Sequence, residues 1–288
     1  EKYGLGFEDN GRWTSFSVAK SLTSTLVGAA LKDGDIESLD DPVSKYISGL
    51  ENSAYDDVTI EQLLTMSSGI DWDETYTDPN SDVARFNEHV AEDGGSNLVS
   101  YMSQLPRAHP AGEVWNYSTG ETNLIGVLVS EATGKDLANY LSEKIWRPYG
   151  MQQDASWLLN QDGTEISGCC IQAATLDFAR FGQFILEGAM INGESIVPED
   201  WIPRATTIRI GYDNPGHGYG FQWWTYDHGA FAARGIFGQG IYIDPQRQLI
   251  IASNSSWTSA LGYEDQENPN REAFYQAVVA AIDAETAP

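Results

Sequence analysis

Residues 13–34 read WTSFSVAKSLTSTLVGAALKDG, and this stretch decides what the chain can be. Val18, Leu22, Leu26, Val27, Ala30 and Leu31 recur at helical spacing, so a helix is expected over about 17–32. Ser15 or Ser17 can cap its start, and Gly34 can close its end. The hydroxyl of Ser17 and the amine of Lys20, three residues apart, then share one face. Ser17 stands at the helix start, where unpartnered amide N–H groups and the helix dipole favour a developing negative charge. Lys20 lies a turn deeper, where burial lowers the pKa of an amine and lets it act as a base. The same four residues also describe a cap followed by a solvated lysine, so the rest of the chain has to decide.

Outside this stretch, charge dominates. The 288 residues carry 42 Asp+Glu against 16 Lys+Arg, a formal charge of −26. Such a surface repels nucleic acid and anionic membranes, and it suits a salty medium in which self-repulsion is screened. Hydrophobic residues make up 41%, enough for one large domain or two smaller ones. No apolar run is long enough to span a bilayer, and no leader peptide stands at residue 1. Cys169 and Cys170 are adjacent, closer than the usual disulfide span, so two buried thiols are expected. They leave the redox compartment open. A periplasmic or secreted location is slightly favoured over the cytoplasm.

Along the chain, residues 3–7 read as a strand and 9–11 as a turn. Thr59, with Gln62 three residues on, is a capping box for a helix over 59–64. Residues 71–96 are polar and loop-rich, with a short helix at 81–92. Helices are expected at 98–105, 119–133, 137–145, 174–187, 201–205 and 270–284. Strand-like runs fall at 220–226, 231–237, 240–243 and 249–253, with a turn at 244–247. Helices followed by antiparallel hairpins make an α+β chain rather than alternating βαβ units. Residues 1–37 and 161–288 are expected to form a sheet subdomain and 38–160 a helical one, with the active site between them.

Two further stretches carry chemistry. Tyr117, in Trp115-Asn116-Tyr117-Ser118-Thr119, precedes a helix; it could relay a proton, or simply pack against that helix. Ala233-Arg234-Gly235-Ile236 leads into Phe237-Gly238-Gln239-Gly240, where glycines let a ligand approach the backbone or mark a bulge. In order, these signals resemble the S-x-x-K, tyrosine and strand motifs of the serine β-lactamase and penicillin-binding-protein superfamily. The flanks strengthen the likeness: Ala30-Leu31-Lys32-Asp33-Gly34-Asp35-Ile36, then Asp40-Asp41-Pro42-Val43, then Ile60 to Gly69 and Pro110 to Ser118. Ser15 to Ser21, Asp73 to Pro79, Gln222-Trp223-Trp224 and Gly235 to Gln239 look most like the 6-aminohexanoate-dimer hydrolase and carboxylesterase branch.

The resemblance implies a β-lactamase-like fold, an antiparallel sheet flanked by helices plus a mostly helical subdomain. It implies that Ser17 is acylated, that Lys20 is its base and that Tyr117 relays the proton. The N–H groups of Ser17 and Ile236 would form the oxyanion hole. Tyr76 would close over substrate, with Asn87 and Phe237 near the acyl pocket and Gly235 and Arg234 at the strand edge. Two departures bear on the substrate. Thr119 stands where Asn usually ends the second motif, and Ala233 stands where Lys or His usually opens the third. The missing groups normally hold a β-lactam carboxylate, so ester or amide cleavage is favoured over β-lactamase or D-Ala-D-Ala peptidase chemistry. A non-catalytic ligand-binding homologue is the alternative of another class. The family also has more chain before its S-x-x-K helix, which would lie upstream or come from a second copy in a homodimer. No cofactor or metal is expected: the four histidines show no H-E-x-x-H spacing, and no G-x-S-x-G elbow is present. The expected partner is a small-molecule ester or amide.

Overall fold

The computed structural model describes residues 1–4, 6–92 and 94–286. Its chain order begins with strand β1 (Arg12–Thr14) and helix α1 (Ala19–Asp33). Short helices follow: α2 (Ile60–Leu64), α3 (Asp82–Arg85) and α4 (Asn97–Met102), then the long α5 (Thr119–Thr133) and α6 (Leu137–Leu141). Strands β2 (Ser156–Trp157) and β3 (Ile171–Ala174) lead to α7 (Thr175–Leu186). A small hairpin, β4 (Met190–Ile191) with β5 (Glu194–Ser195), precedes α8 (Trp201–Ala205). Strands β6 (Ile210–Gly211), β7 (His217–Tyr219), β8 (Trp224–Tyr226), β9 (Phe231–Arg234), β10 (Gly240–Asp244) and β11 (Leu249–Ser253) come next, and α9 (Glu267–Thr286) closes the order.

The last six strands form one antiparallel sheet in the order β11-β10-β9-β8-β7-β6, each paired with its chain neighbour. Gly240 faces Arg234 on one side and Ser253 on the other, so the start of β10 is fixed by two ladders and holds the Arg234 end of β9 beside it. A second sheet, β1-β3-β2, holds the chain just before the S-x-x-K stretch: Trp13 pairs with Ala173. Helix α7 packs on β10 and β11, and the rings of Tyr242 and Tyr275 (5.1 Å between centroids) seat α9 on the sheet.

Helix α1 departs from the stripe expected of it. Every residue from Ala19 to Ala30 is buried, so the helix is enclosed on all sides and packs against α5. Its hydroxyls are all satisfied, as burial requires. Ser21 donates to Gln222 O (2.7 Å), Thr23 to Ser167 O (2.8 Å), Ser24 to Phe221 O (2.8 Å) and Thr25 to Ser21 O (2.8 Å). The first three, at about 1 kcal/mol net each, reach outside α1 and so also fix its rotation, because each has one acceptor at one azimuth. Gly34 closes the helix at φ 86°, as expected.

Other expectations need correction. Neither Ser15 nor Ser17 caps the helix; the Ser15 hydroxyl donates to Phe16 O and accepts from the Ile171 N–H. The strand expected at 3–7 does not form at residues 3, 4, 6 and 7, Leu5 lying outside the described residues; the pairing strand is β1. The helix expected at 81–92 shrinks to α3, and that at 137–145 passes from α6 into a π-helical turn at Ser142–Trp146. The cysteines are not free thiols. Cys169 and Cys170 are joined by a disulfide, Cys170 taking a left-handed backbone (φ 79°) that turns the two side chains together. No helix of the described residues is long and apolar enough to cross a membrane.

Candidate active site

Ser17 sits in a single 3-10 turn, Phe16–Val18, that opens directly into α1. Phe16 has φ 43°, a left-handed value that is costly for a bulky side chain and is held here by the surrounding packing. Its ring lies against Phe237 (5.3 Å). Lys20, one turn into α1, is 1% exposed. Its ammonium nitrogen is 3.3 Å from Ser17 Oγ, 3.0 Å from Thr119 Oγ1 and 2.7 Å from Gly168 O. Burial brings Lys20 down from 10.5 to about 8, opposed by the nearby Glu74 carboxylate.

The three partners of Lys20 are not equivalent. Gly168 O can only accept. The Thr119 hydroxyl donates its own proton to Glu74 Oε1, so its oxygen faces the lysine as an acceptor. A neutral amine has two hydrogens and one lone pair. With both hydrogens taken, the lone pair is left for Ser17 Oγ. Gly168 permits this approach: a Cβ there would stand 2.9 Å from Thr119 O.

Tyr117 lines the same cavity as Ser17, and its ring centroid is 5.1 Å from Lys20 Nζ. It is clamped by aromatic rings, stacked on Trp224 (5.6 Å) and edge-on to Tyr219 (6.3 Å). Burial, and then the Glu74 charge, hold its phenol far above the usual range, outweighing the opposite influence of the Ser17 hydroxyl. Tyr117 therefore keeps its proton at neutral pH and can give it, while Lys20 is the group poised to take one.

The backbone donors come from the starts of two 3-10 turns, Phe16–Val18 and Ile236–Gly238, whose first N–H groups have no partner within the turn. The neighbours of Ile236 are committed, Gly235 N–H to Gln239 O (2.8 Å) and Phe237 N–H to Ala260 O (2.9 Å). Ser17 and Ile236 border the same two cavities. Gly235 is required for the approach of the two turns, since a Cβ there would lie 2.6 Å from Ser15 O.

The two cavities meet at Ser17. One, of about 530 Å³, is walled largely by apolar side chains, among them Phe16, Val83, Phe86, Leu158 and Ile166, with the disulfide at its edge. The other, of about 310 Å³, contains Tyr117, Trp224, Arg234 and Arg271. Tyr76 borders both, its hydroxyl donating to Glu74 Oε1 (3.0 Å). Asn87 reaches the rim of the apolar cavity as an exposed residue, and Gly235 and Arg234 line the other. Phe237, expected at the acyl pocket, lines neither; its left-handed backbone (φ 59°) turns the ring onto Phe16.

Sequence reasoning gave no role to Glu74, Gly168 or Arg271. Glu74 accepts from Trp72 Nε1 (2.5 Å), from the Thr119 N–H (2.9 Å) and from the Thr119 hydroxyl. Its signal was adjacency to Tyr76 in Asp73-Glu74-Thr75-Tyr76, together with a threonine in place of the usual Asn at 119.

Comparison with known proteins bears on the fold and the family. The 6-aminohexanoate-dimer hydrolase of Paenarthrobacter ureafaciens is 29% identical over 273 residues, 89% of this chain and 69% of that protein. A Bacillus anthracis structure assigned as a 6-aminohexanoate-dimer hydrolase superposes with a TM-score of 0.84 at 24% identity, over all of this chain and 76% of that one. EstCE1, a hydrolase with promiscuous acyltransferase activity, superposes with a TM-score of 0.71 at 14% identity, over 89% of this chain and 82% of its own. At such identities the two structures bear on the fold alone. The Beta-lactamase family model matches residues 3–276, and the chain belongs to that family of hydrolases.

Proposed function

We propose that the protein is a serine hydrolase that cleaves ester or amide bonds through an acyl-enzyme on Ser17. The observation that carries this reading is the arrangement around Lys20, whose other two acceptors leave its lone pair for Ser17 Oγ. Lys20 takes the Ser17 proton as Oγ attacks the carbonyl carbon. The N–H groups of Ser17 and Ile236 hold the oxygen as it becomes negative. Tyr117 passes a proton to the leaving oxygen or nitrogen as its bond to carbon breaks. Water then attacks the acyl-enzyme, giving up its proton through the same groups, and frees Ser17.

Tyr117 borders only the cavity that also holds Arg234. A proton donor must reach the leaving atom, so the leaving group occupies that cavity and the acyl chain the apolar one. The named substrate of the Paenarthrobacter relative, an amide dimer, is a member of the class proposed here. The test is a burst of p-nitrophenol from a short p-nitrophenyl ester together with labelling by a fluorophosphonate. Wild type should show both, and Ser17→Ala neither, with turnover down at least ~10³-fold. Labelling that survives Ser17→Ala overturns the assignment.

A further inference from the structure

The leaving-group cavity carries charge that the hydrolytic step does not use. Arg234, at the end of β9, and Arg271, on α9, both line it, in a chain whose formal charge is −26. The Arg271 side chain is only 8% exposed. Its guanidinium lies 4.8 Å from the Trp257 ring centroid, with Nη1 donating to Gln239 O (3.4 Å) and Nη2 to Asn268 Oδ1 (3.2 Å). Arg234 Nη2 donates to the Tyr226 hydroxyl and to Glu272 Oε1 (3.0 Å). Glu272 is also the carboxylate beside Arg271 (3.5 Å), so a buried cation and a partly buried one share one anion. The two forks offer about ten N–H donors, and these bonds use four of them. The Nε–H groups of both arginines are buried without an acceptor. Glu74 lines the cavity as well, its oxygens occupied by Trp72, Tyr76 and Thr119. Burial, and then the Arg234 charge, hold Arg271 below the usual arginine range, as expected of two like charges in one pocket.

The apolar cavity is the opposite case: no residue lining it is charged. We infer that the substrate is an N-acyl amino acid, its uncharged acyl chain in the apolar cavity and the carboxylate of its leaving amine held by Arg234 and Arg271. This rests on the acyl-enzyme reading above and deepens it. The reaction is hydrolysis of the amide. The bond from acyl carbon to nitrogen breaks, Tyr117 supplies the proton to nitrogen, and water is the only co-reactant. The walls of Trp224, Tyr212 and Tyr263 suit an apolar or aromatic amino acid body between the amide and the carboxylate.

The test uses matched amides on the full chain. N-hexanoyl-phenylalanine is compared with N-hexanoyl-phenylalaninamide, and N-hexanoyl-6-aminohexanoate with its carboxamide, as α- and ω-amino acid arms. The free acid should be preferred by at least about tenfold in kcat/KM in one arm, mainly through KM. In Arg271→Met that acid-to-amide ratio should collapse toward unity, and Arg271→Lys should restore part of it. Replacing hexanoyl by 6-aminohexanoyl should lower kcat/KM by at least about tenfold, since its ammonium meets no carboxylate in the apolar cavity. Equal cleavage of acid and amide in both arms overturns the inference, as does a ratio unmoved by Arg271→Met or a preference for the aminated acyl chain. Wild-type turnover of p-nitrophenyl butyrate separates the two failures. If the ester is cleaved and the amides are not discriminated, the substrate inference fails alone; if Ser17 forms no adduct with the ester, the acyl-enzyme reading fails.

Discussion

In the proposed reaction Lys20 is made a base by its location. An amine in water holds its proton to above pH 10; enclosed in α1, this one is brought to about 8. Attack needs the neutral form, so kcat/KM for a neutral ester should climb about tenfold per pH unit below that value and level off above it. Lys20→Arg should abolish the climb together with at least ~10³-fold of the rate, because a guanidinium does not deprotonate in this range. Glu74 pulls the other way, favouring charged Lys20. Glu74→Gln should therefore move the limb to lower pH while the amide oxygen can still accept from Thr119. A limb that stays in place would mean that the carboxylate only positions Thr119. Tyr117→Phe, which keeps the stacking on Trp224, should lower kcat more for a poor leaving group such as an alkyl amide than for p-nitrophenol.

At the scale of elements, the parts legible in the sequence are those whose causes are local. The capping box forms as read: Thr59 Oγ1 accepts from the Gln62 N–H (3.2 Å) and Gln62 Oε1 from the Thr59 N–H (2.9 Å). Thr59→Ala should cost about 1 kcal/mol, seen as a lower denaturant midpoint with the slope unchanged. Helix α5 runs from Thr119 to Thr133 and α8 from Trp201 to Ala205, the bounds expected of them. Strands β1 to β7 were missed, being two to four residues long and too short to show alternation. Of the candidate site, the grouping of Ser17, Lys20 and Tyr117 was legible, because a motif fixes their types. Its supports were not: Gly168 O, Glu74 and Arg271 reach the cleft from other parts of the chain, and no local rule links them. The same holds for Glu121 in α5, whose carboxyl is enclosed with Ser68 and Tyr55. Burial raises it from 4.5 to about 8 against both hydrogen bonds. Its folded value lies above its unfolded one, so the stability it contributes is full below about pH 4.5 and is lost as pH rises through about 8. Glu121→Gln should remove that slope, at most ~1.4 kcal/mol per pH unit, from a melting series between about pH 5 and pH 8.

For the whole molecule, the governing number is the charge of −26. Spread over one surface it opposes compaction, and salt relieves it. Raising NaCl from about 0.01 M to about 1 M shrinks the screening length from about 30 Å to about 3 Å, so Tm should rise across that range. A flat or falling Tm would show that the acidic surface is already offset by its own ion pairs.

The central claim is that Ser17 carries the acyl group, and the most direct measurement is intact mass followed by peptide mapping after a brief reaction with a p-nitrophenyl ester at about pH 8. We expect one added acyl mass on wild type, located on the peptide containing Ser17, and none on Ser17→Ala. An acyl mass on any other residue, or one that persists in Ser17→Ala, would contradict it.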